Sequence, residues 1–277
     1  MVTVVNTNVS ATAAKQALIQ THRTMDKTMA QLSTGRRINS AADDAAGLSI
    51  GNKLASQIKS LDQAVRNAND GISMLQTADG ASGRMVEMFQ RMRELAVQSA
   101  NDTNDQDARD ALQLEFSELQ TEIGNSINNT SWNGMKLLDL GSGSTQNVNF
   151  HVGASSEDTI ALPLASMNSD DVENALDNAS IDSRTNAITS LDLIDNAISQ
   201  IDTERGKWGA MMNRLTFAAD NASNVSLHSS ASRSRIMDTD YAQATAEMAK
   251  AMILDQAGSA MLSQANQNPM YVLALLR

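Results

Sequence analysis

The side chains able to do chemistry are few and scattered. His22, His151 and His228 stand far apart and share no metal-ligand spacing such as His-Glu-x-x-His. The chain has no cysteine, which removes thiol nucleophiles, Cys-ligated zinc, iron–sulfur clusters and disulfides. No Gly-rich phosphate loop, dinucleotide fingerprint or Gly-x-Ser-x-Gly elbow occurs. Two close carboxylate pairs remain, Asp43-Asp44 and Asp238-x-Asp240. Paired carboxylates can share acid–base work. Both pairs, however, precede helix-forming stretches, where an acidic side chain suits the first turn and the dipole. They read as helix starts. No catalytic, cofactor-binding or metal-binding residue is therefore assigned, and an enzyme is not expected.

One patch has the spacing of a binding face. Within the segment from Gln90 through Arg91, Arg93, Glu94 and Leu95 to Gln98, the residues Arg91, Glu94 and Gln98 fall at i, i+3 and i+7. On a helix they share one side, opposite part of a methionine stripe at Met85, Met88 and Met92. By spacing alone this is a solvated face with local ion pairs.

The elements that carry these residues follow from a 3–4 alternation. One series is Ala11, Ala14, Leu18, Thr21, Met25, Thr28, Leu32, and a second is Leu54, Ile58, Leu61, Val65, Ala68, Ile72, Leu75. Leu112, Phe116, Leu119 and Ile123 continue the pattern beyond a polar break at residues 101–104. The longest series is Ala187, Leu191, Ile194, Ile198, Ile201, Arg205, Trp208, Met212, Leu215, Ala219, Ala222. Heptads sustained this long predict coiled-coil seams. Gly35 is placed to end the first helix as a left-handed cap, followed by a mixed connector from Arg36 to Gly51. From Ser131 to about Leu164 the heptads vanish. Asn133-Gly134 predicts a tight turn, Val148, Phe150 and Val152 alternate as in a strand, and Thr159 to Pro163 predicts an edge strand closed by its proline. The fold class expected is mainly α, long coiled-coil helices from both chain ends with a small central β-hairpin region.

Composition agrees. Of 277 residues, 42% are hydrophobic but only 3% aromatic, with 16 Met and two Pro; the apolar content is aliphatic and suited to long helices. A formal charge of −11 argues against nucleic acid as partner. No charged start precedes an apolar run, so no cleavable secretory signal is expected, and Tyr271 to Leu276 is too short for membrane insertion. The C-terminal end is rich in apolar residues: Met248, Ala251, Met252, Leu254, Met261 and Leu262, then Val272, Leu273, Leu275 and Leu276. That much apolar surface at a chain end predicts self-association.

The chain resembles the bacterial flagellins. The matching residues are Asn6-Thr7-Asn8, Leu32-Ser33-Thr34-Gly35, Arg37-Ile38-Asn39-Ser40, Asp43-Asp44-Ala45-Ala46-Gly47 and Arg66-Asn67-Ala68-Asn69-Asp70-Gly71-Ile72-Ser73. Toward the other end they are Ser232-Arg233-Ser234-Arg235-Ile236, Asp238-x-Asp240-Tyr241-Ala242, Gln256-Ala257-Gly258, Gln264-Ala265-Asn266-Gln267 and Val272 to Arg277. The resemblance implies a structural subunit of the flagellar filament, exported unfolded and polymerised at the tip, hence extracellular. It implies an export apparatus, an export chaperone and a filament cap as partners beside the self-contact. By the same likeness, residues 1–40 and 236–277 form a terminal helical core, 41–130 and 171–235 a helical rod, and 131–170 its β-hairpin region, with the outer variable domain absent. Leu18, Met25, Leu32, Met248, Met252, Leu262, Val272, Leu273, Leu275 and Leu276 would make the polymerisation core. Gln90, Arg91, Arg93, Glu94, Leu95 and Gln98, with Glu115, resemble the segment by which an animal Toll-like receptor recognises flagellins; Arg91, Leu95 and Gln98 would touch it. The same resemblance leaves a second candidate, a hook–filament junction protein.

Overall fold

The computed structural model describes residues 7–141 and 144–274, the side chains of 268–274 excepted. In chain order the elements are α1 (Val9–Thr34), α2 (Ala45–Ser99), α3 (Gln106–Asn129), β1 (Ser131–Trp132), β2 (Met135–Lys136), β3 (Thr145–His151), β4 (Thr159–Ala165), α4 (Asp170–Asp177), α5 (Arg184–Met237) and α6 (Tyr241–Ala274). The fold is mainly α with small antiparallel hairpins. Two compact units are present: residues up to Ile58 with those from Leu227 onward, and Lys59–Ser226.

In the first unit α1 pairs with α6. Asn8 starts α1, its side-chain oxygen accepting from the Ala11 amide at 3.0 Å while its Nδ2 donates to the Ala265 carbonyl at 2.8 Å. Gly35 ends the helix at φ 70, its N–H donating to the Gln31 carbonyl, as the left-handed cap requires. On α1 the partly or fully buried positions include the whole series Ala11, Ala14, Leu18, Thr21, Met25, Thr28, Leu32. On α6 they are Ala244, Met248, Ala251, Asp255, Gly258, Leu262 and Ala265. Large residues of one helix meet small ones of the other: a Cβ on Gly258 would lie 3.0 Å from Leu18 Cδ2. That register places Met25 opposite Ala251 and Leu32 opposite Ala244, the knobs-into-holes arrangement of a tight antiparallel pair. Met252 does not belong to this seam; it is 48% exposed, one residue past the buried Ala251 and turned about 100° away by the helical pitch.

The connector is pinned to the α5–α6 junction. Arg37 N–H donates to the Met237 carbonyl at 2.7 Å and Thr239 N–H to the Gly35 carbonyl at 3.0 Å, closing an antiparallel bridge at Arg36 and Asp238. The connector is shorter than its composition suggests. Gly47 and Gly51 lie inside α2, where added Cβ atoms would strike Ile38 and Met237, both buried. Close approach, not a break, accounts for these glycines.

In the second unit α2 carries an unbroken buried line at Leu61, Ala64, Ala68, Gly71, Leu75, Ala78, Ser82, Met85, Phe89, Met92, Ala96 and Ser99. Every step is three or four residues. α5 runs antiparallel to it, fixed by Arg205 Nε to Asp79 Oδ1 at 2.7 Å, Arg93 Nε to Asp195 Oδ1 at 2.7 Å and Ser226 Oγ to Asp62 Oδ1 at 2.8 Å. Its heptad series is partly or fully buried throughout, with Trp208, Ile201, Ile194 and Leu215 closed off completely. α3 completes the layer: Asp105 caps it, and Phe116, Ile123 and Ile127 face inward. Three of the few aromatics, Trp208, Phe89 and Phe116, are among the largest fully buried side chains. Each such burial stabilises by roughly 1.5–3 kcal/mol.

The hairpins close over this core. β1 and β2 turn through Asn133 (φ 49) and Gly134 (φ 80), the left-handed pair a two-residue hairpin needs. β3 and β4 pair antiparallel from Thr145↔Ala165 to His151↔Thr159. Ile160, Leu162 and Leu164 alternate inward, and Phe150 packs on Gly71. Pro163 does not end its strand but sits within it opposite Asn147; in a two-stranded sheet both strands are edges, so the missing N–H can face outward. α4 follows, an eight-residue helix burying Val172 and Ala175.

Candidate functional site

The receptor-like patch lies in the second unit, on α2 where α3 runs alongside. Arg91 links the two helices. Its Nε donates to Glu115 Oε1 at 2.9 Å and its Nη1 to Glu94 Oε2 at 3.0 Å; both carboxylates raise the guanidinium above its ordinary basicity. Gln90, Arg91, Glu94, Gln98 and Glu115 are exposed. Arg93 turns to the other side of α2 and grips Asp195 of α5 with two nitrogens, at 2.7 and 3.3 Å. Leu95 departs from expectation. It is 1% exposed, in the core cluster with Met92 and Ala96, so in this conformation it cannot touch a receptor. The structure thus brings together Gln90, Arg91, Glu94, Gln98 and Glu115, and sets Arg93 and Leu95 apart from them.

The terminal hairpin carries the second surface. Leu18, Met25, Leu32, Met248 and Leu262 are half-buried in the α1–α6 seam. Val272 and Leu273 lie in α6 with undescribed side chains, and Leu275 and Leu276 lie outside the described residues. Outside the seam stands a second apolar set: Ile253 at 67%, Met261 at 65%, Met29 at 52%, Leu254, Met252 and Ile19. The 3–4 series of α1 misses Ile19 and Met29 because they fall off its period. Their signal is the breadth of the apolar arc on each helix, which exceeds one seam. Among the described residues of the unit nothing covers these side chains.

Between the ends of α1 and α6 a polar groove of about 510 Å³ is lined by Lys27, Arg37, Arg235, Asp238, Asp240 and Glu247 among others. Charges in this groove and elsewhere in the unit have local work. Asp240 Oδ1 accepts from the Ala242 and Gln243 amides at 2.9 and 3.3 Å, starting α6, and Asp44 Oδ1 accepts from the Gly47 amide at 2.9 Å, starting α2. Asp43 accepts from the Ser40 and Asn39 amides at 3.0 and 3.2 Å and faces Lys27 Nζ at 3.4 Å; those amides hold its carboxyl below the usual range. His22 Nε2 lies 3.2 Å from Asp255 Oδ1 across the α1–α6 pair. Among the described residues no cluster of three or more His, Asp or Glu could hold a metal ion, and no helix is long and apolar enough to cross a membrane.

Comparison with known proteins gives the family. Residues 5–142 match the bacterial flagellin N-terminal helical region and residues 191–276 the C-terminal helical region. The chain is 45% identical to a flagellin of Halalkalibacterium halodurans, covering 91% of each chain. It is 32% identical to flagellin E of Vibrio cholerae, with both chains covered in full by an alignment of 380 positions against the 277 residues here. In fold it is similar to a putative flagellar hook-associated protein from Vibrio parahaemolyticus, with a TM-score of 0.60 and 14% identity over 71% of this chain and all of the other. With both terminal regions matched and near-full-length similarity to a curated relative, the chain belongs to the bacterial flagellin family.

Proposed function

We propose that this chain is the structural subunit of a flagellar filament, built by self-assembly, and that its terminal hairpin is the assembly surface. The observation that carries this is the second apolar set on the α1–α6 pair, including Ile253, Leu254 and Met261, left in solvent beside an already filled seam. Burying such a face between subunits returns roughly 25 cal/mol per Å² of apolar area, which one hairpin alone cannot recover. The function is structural, not catalytic, and its place is outside the cell. In this reading the terminal hairpin makes the contacts of the filament core, and the 131–170 hairpins stand where longer relatives carry an outer insert. Export apparatus, export chaperone and filament cap follow as partners from membership of the family. The junction-protein reading is not favoured, since at 14% identity the hook-associated likeness concerns fold alone. Seeded growth tests the proposal: purified chain added to short filament fragments should elongate them without limit under electron microscopy. Growth that stops after one or a few layers would contradict it.

The exposed group Gln90, Arg91, Glu94, Gln98 and Glu115 supports a second role, recognition of the free subunit by an animal Toll-like receptor. Arg91→Ala removes the residue that ties α2 to Glu115 and should weaken signalling by monomer; unchanged signalling would refute this role.

A further inference from the structure

We infer that the assembly surface is a site of methionine sulfoxidation, and that hydroperoxides reaching the free subunit switch off its addition to the filament. The inference rests on the reading of the α1–α6 hairpin as that surface. Methionine is distributed unevenly between the units. In the second unit Met74, Met85, Met92 and Met167 are 0–2% exposed, and Met88, Met135, Met211 and Met212 are half-buried. In the first unit Met29, Met252 and Met261 are exposed at 52%, 48% and 65%, while Met237 is buried and Met25 and Met248 are half-buried in the seam. Among residues with described side chains, every exposed methionine therefore lies on the terminal hairpin.

The chemistry needs only an accessible thioether. The sulfur lone pair attacks the outer oxygen of a hydroperoxide. An S–O bond forms as the O–O bond breaks, sulfur loses two electrons, and the departing oxygen takes the proton and leaves as water from hydrogen peroxide. A flexible apolar side chain becomes a polar one carrying a strong acceptor. Met252 is flanked by exposed Ile253 and Leu254, and Met261 stands one heptad beyond Leu254. A sulfoxide there enters apolar contact without a donor to satisfy it, which disfavours burial against a neighbour. With no cysteine in the chain, methionine is its one sulfur-based target for such oxidants.

The test treats the purified full-length chain with dilute hydrogen peroxide and follows sulfoxide at each methionine by peptide mass, alongside seeded elongation. Met29, Met252 and Met261 should oxidise at least about fivefold faster than Met74, Met85, Met92 and Met167, and elongation should fall roughly tenfold or more. Methionine sulfoxide reductase with a thiol reductant should restore it. In a variant carrying Met29→Leu, Met252→Leu and Met261→Leu, whatever its elongation rate before treatment, peroxide should leave that rate unchanged. Equal oxidation of buried and exposed methionines, normal elongation by the oxidised chain, or no recovery with reductase would each overturn the inference. A variant that elongates and then loses as much to peroxide as the native chain would do the same. If the Leu variant itself fails to grow, the reductase experiment on the native chain decides. Untreated native chain that fails to extend seeds would instead overturn the assembly reading.

Discussion

The two units use one spacing rule to opposite ends. In the second unit the 3–4 line on α2 holds Phe89, Met85 and Leu75 against Trp208, Ile201 and Phe116, all closed from solvent in one continuous core. In the first unit the fully buried positions on α1 and α6 are Thr28, Ala244, Ala251 and Ala265. The larger apolar side chains described on α1 and α6 are half-buried or in water. A core of large side chains makes an element stable by itself, whereas a seam of Ala, Gly and Thr brings two helices close but removes little apolar area from solvent. The second unit therefore closes its core within one chain, with Phe217 and Leu114 left exposed outside it, and the first has no comparable core.

That contrast can be broken most forcefully at the terminus. Removing every residue after Gln256 deletes Gly258, Leu262 and Ala265 from the seam and should abolish seeded elongation while leaving the thermal unfolding of the second unit unchanged; normal filaments in micrographs would refute it. Next in size is Trp208→Ala, which empties a fully buried site and should cost about 3–5 kcal/mol in urea unfolding. Leu18→Ala, in the half-buried seam, should cost only about 1–2 kcal/mol in the same measurement, yet slow elongation more than Trp208→Ala does. If the two substitutions destabilise equally, the units do not differ as described.

The smallest expected effect is a pH dependence in the connector. The Asp43 carboxyl is lowered in the folded chain by the Ser40 and Asn39 amides. A lowered folded value stabilises above the unfolded value, near 3.8, and that contribution is lost as pH falls through the folded value. Asp43→Asn should therefore lower stability slightly at neutral pH and flatten the acid limb, the native and variant chains converging below about pH 4 as Asp43 becomes protonated. Acid titrations of native and variant chains, followed by circular dichroism, check this.

The α1 seam was legible residue by residue, because all seven of its predicted positions have apolar or Thr side chains on one period. The α6 seam was not. Its large members Met248 and Leu262 show on a period, but the seam also passes through Ala251, Asp255 and Gly258, and small side chains such as Ala and Gly, which let a partner Leu or Met enter, leave no apolar signal. The same reason hid Gly71, Ser82 and Ser99 in the α2 line. Motif likeness follows sequence neighbours and so groups Leu95 with the exposed patch, while helical pitch sends it inward beside Met92. The alternation in β3 and the Asn133-Gly134 turn were plain. α4 was not foreseen, since its eight residues bury only Val172 and Ala175, too few turns to show a period.

Hydrogen exchange, followed by mass spectrometry before and after seeded polymerisation, tests the division of labour most directly. In the free chain the amides of α1 and α6 should exchange at least about a hundredfold faster than those of α2 between residues 68 and 99. In the polymer the two groups should become comparably protected. Protection of α1 and α6 already equal to that of the core in the free chain, or none gained on polymerisation, would contradict the account.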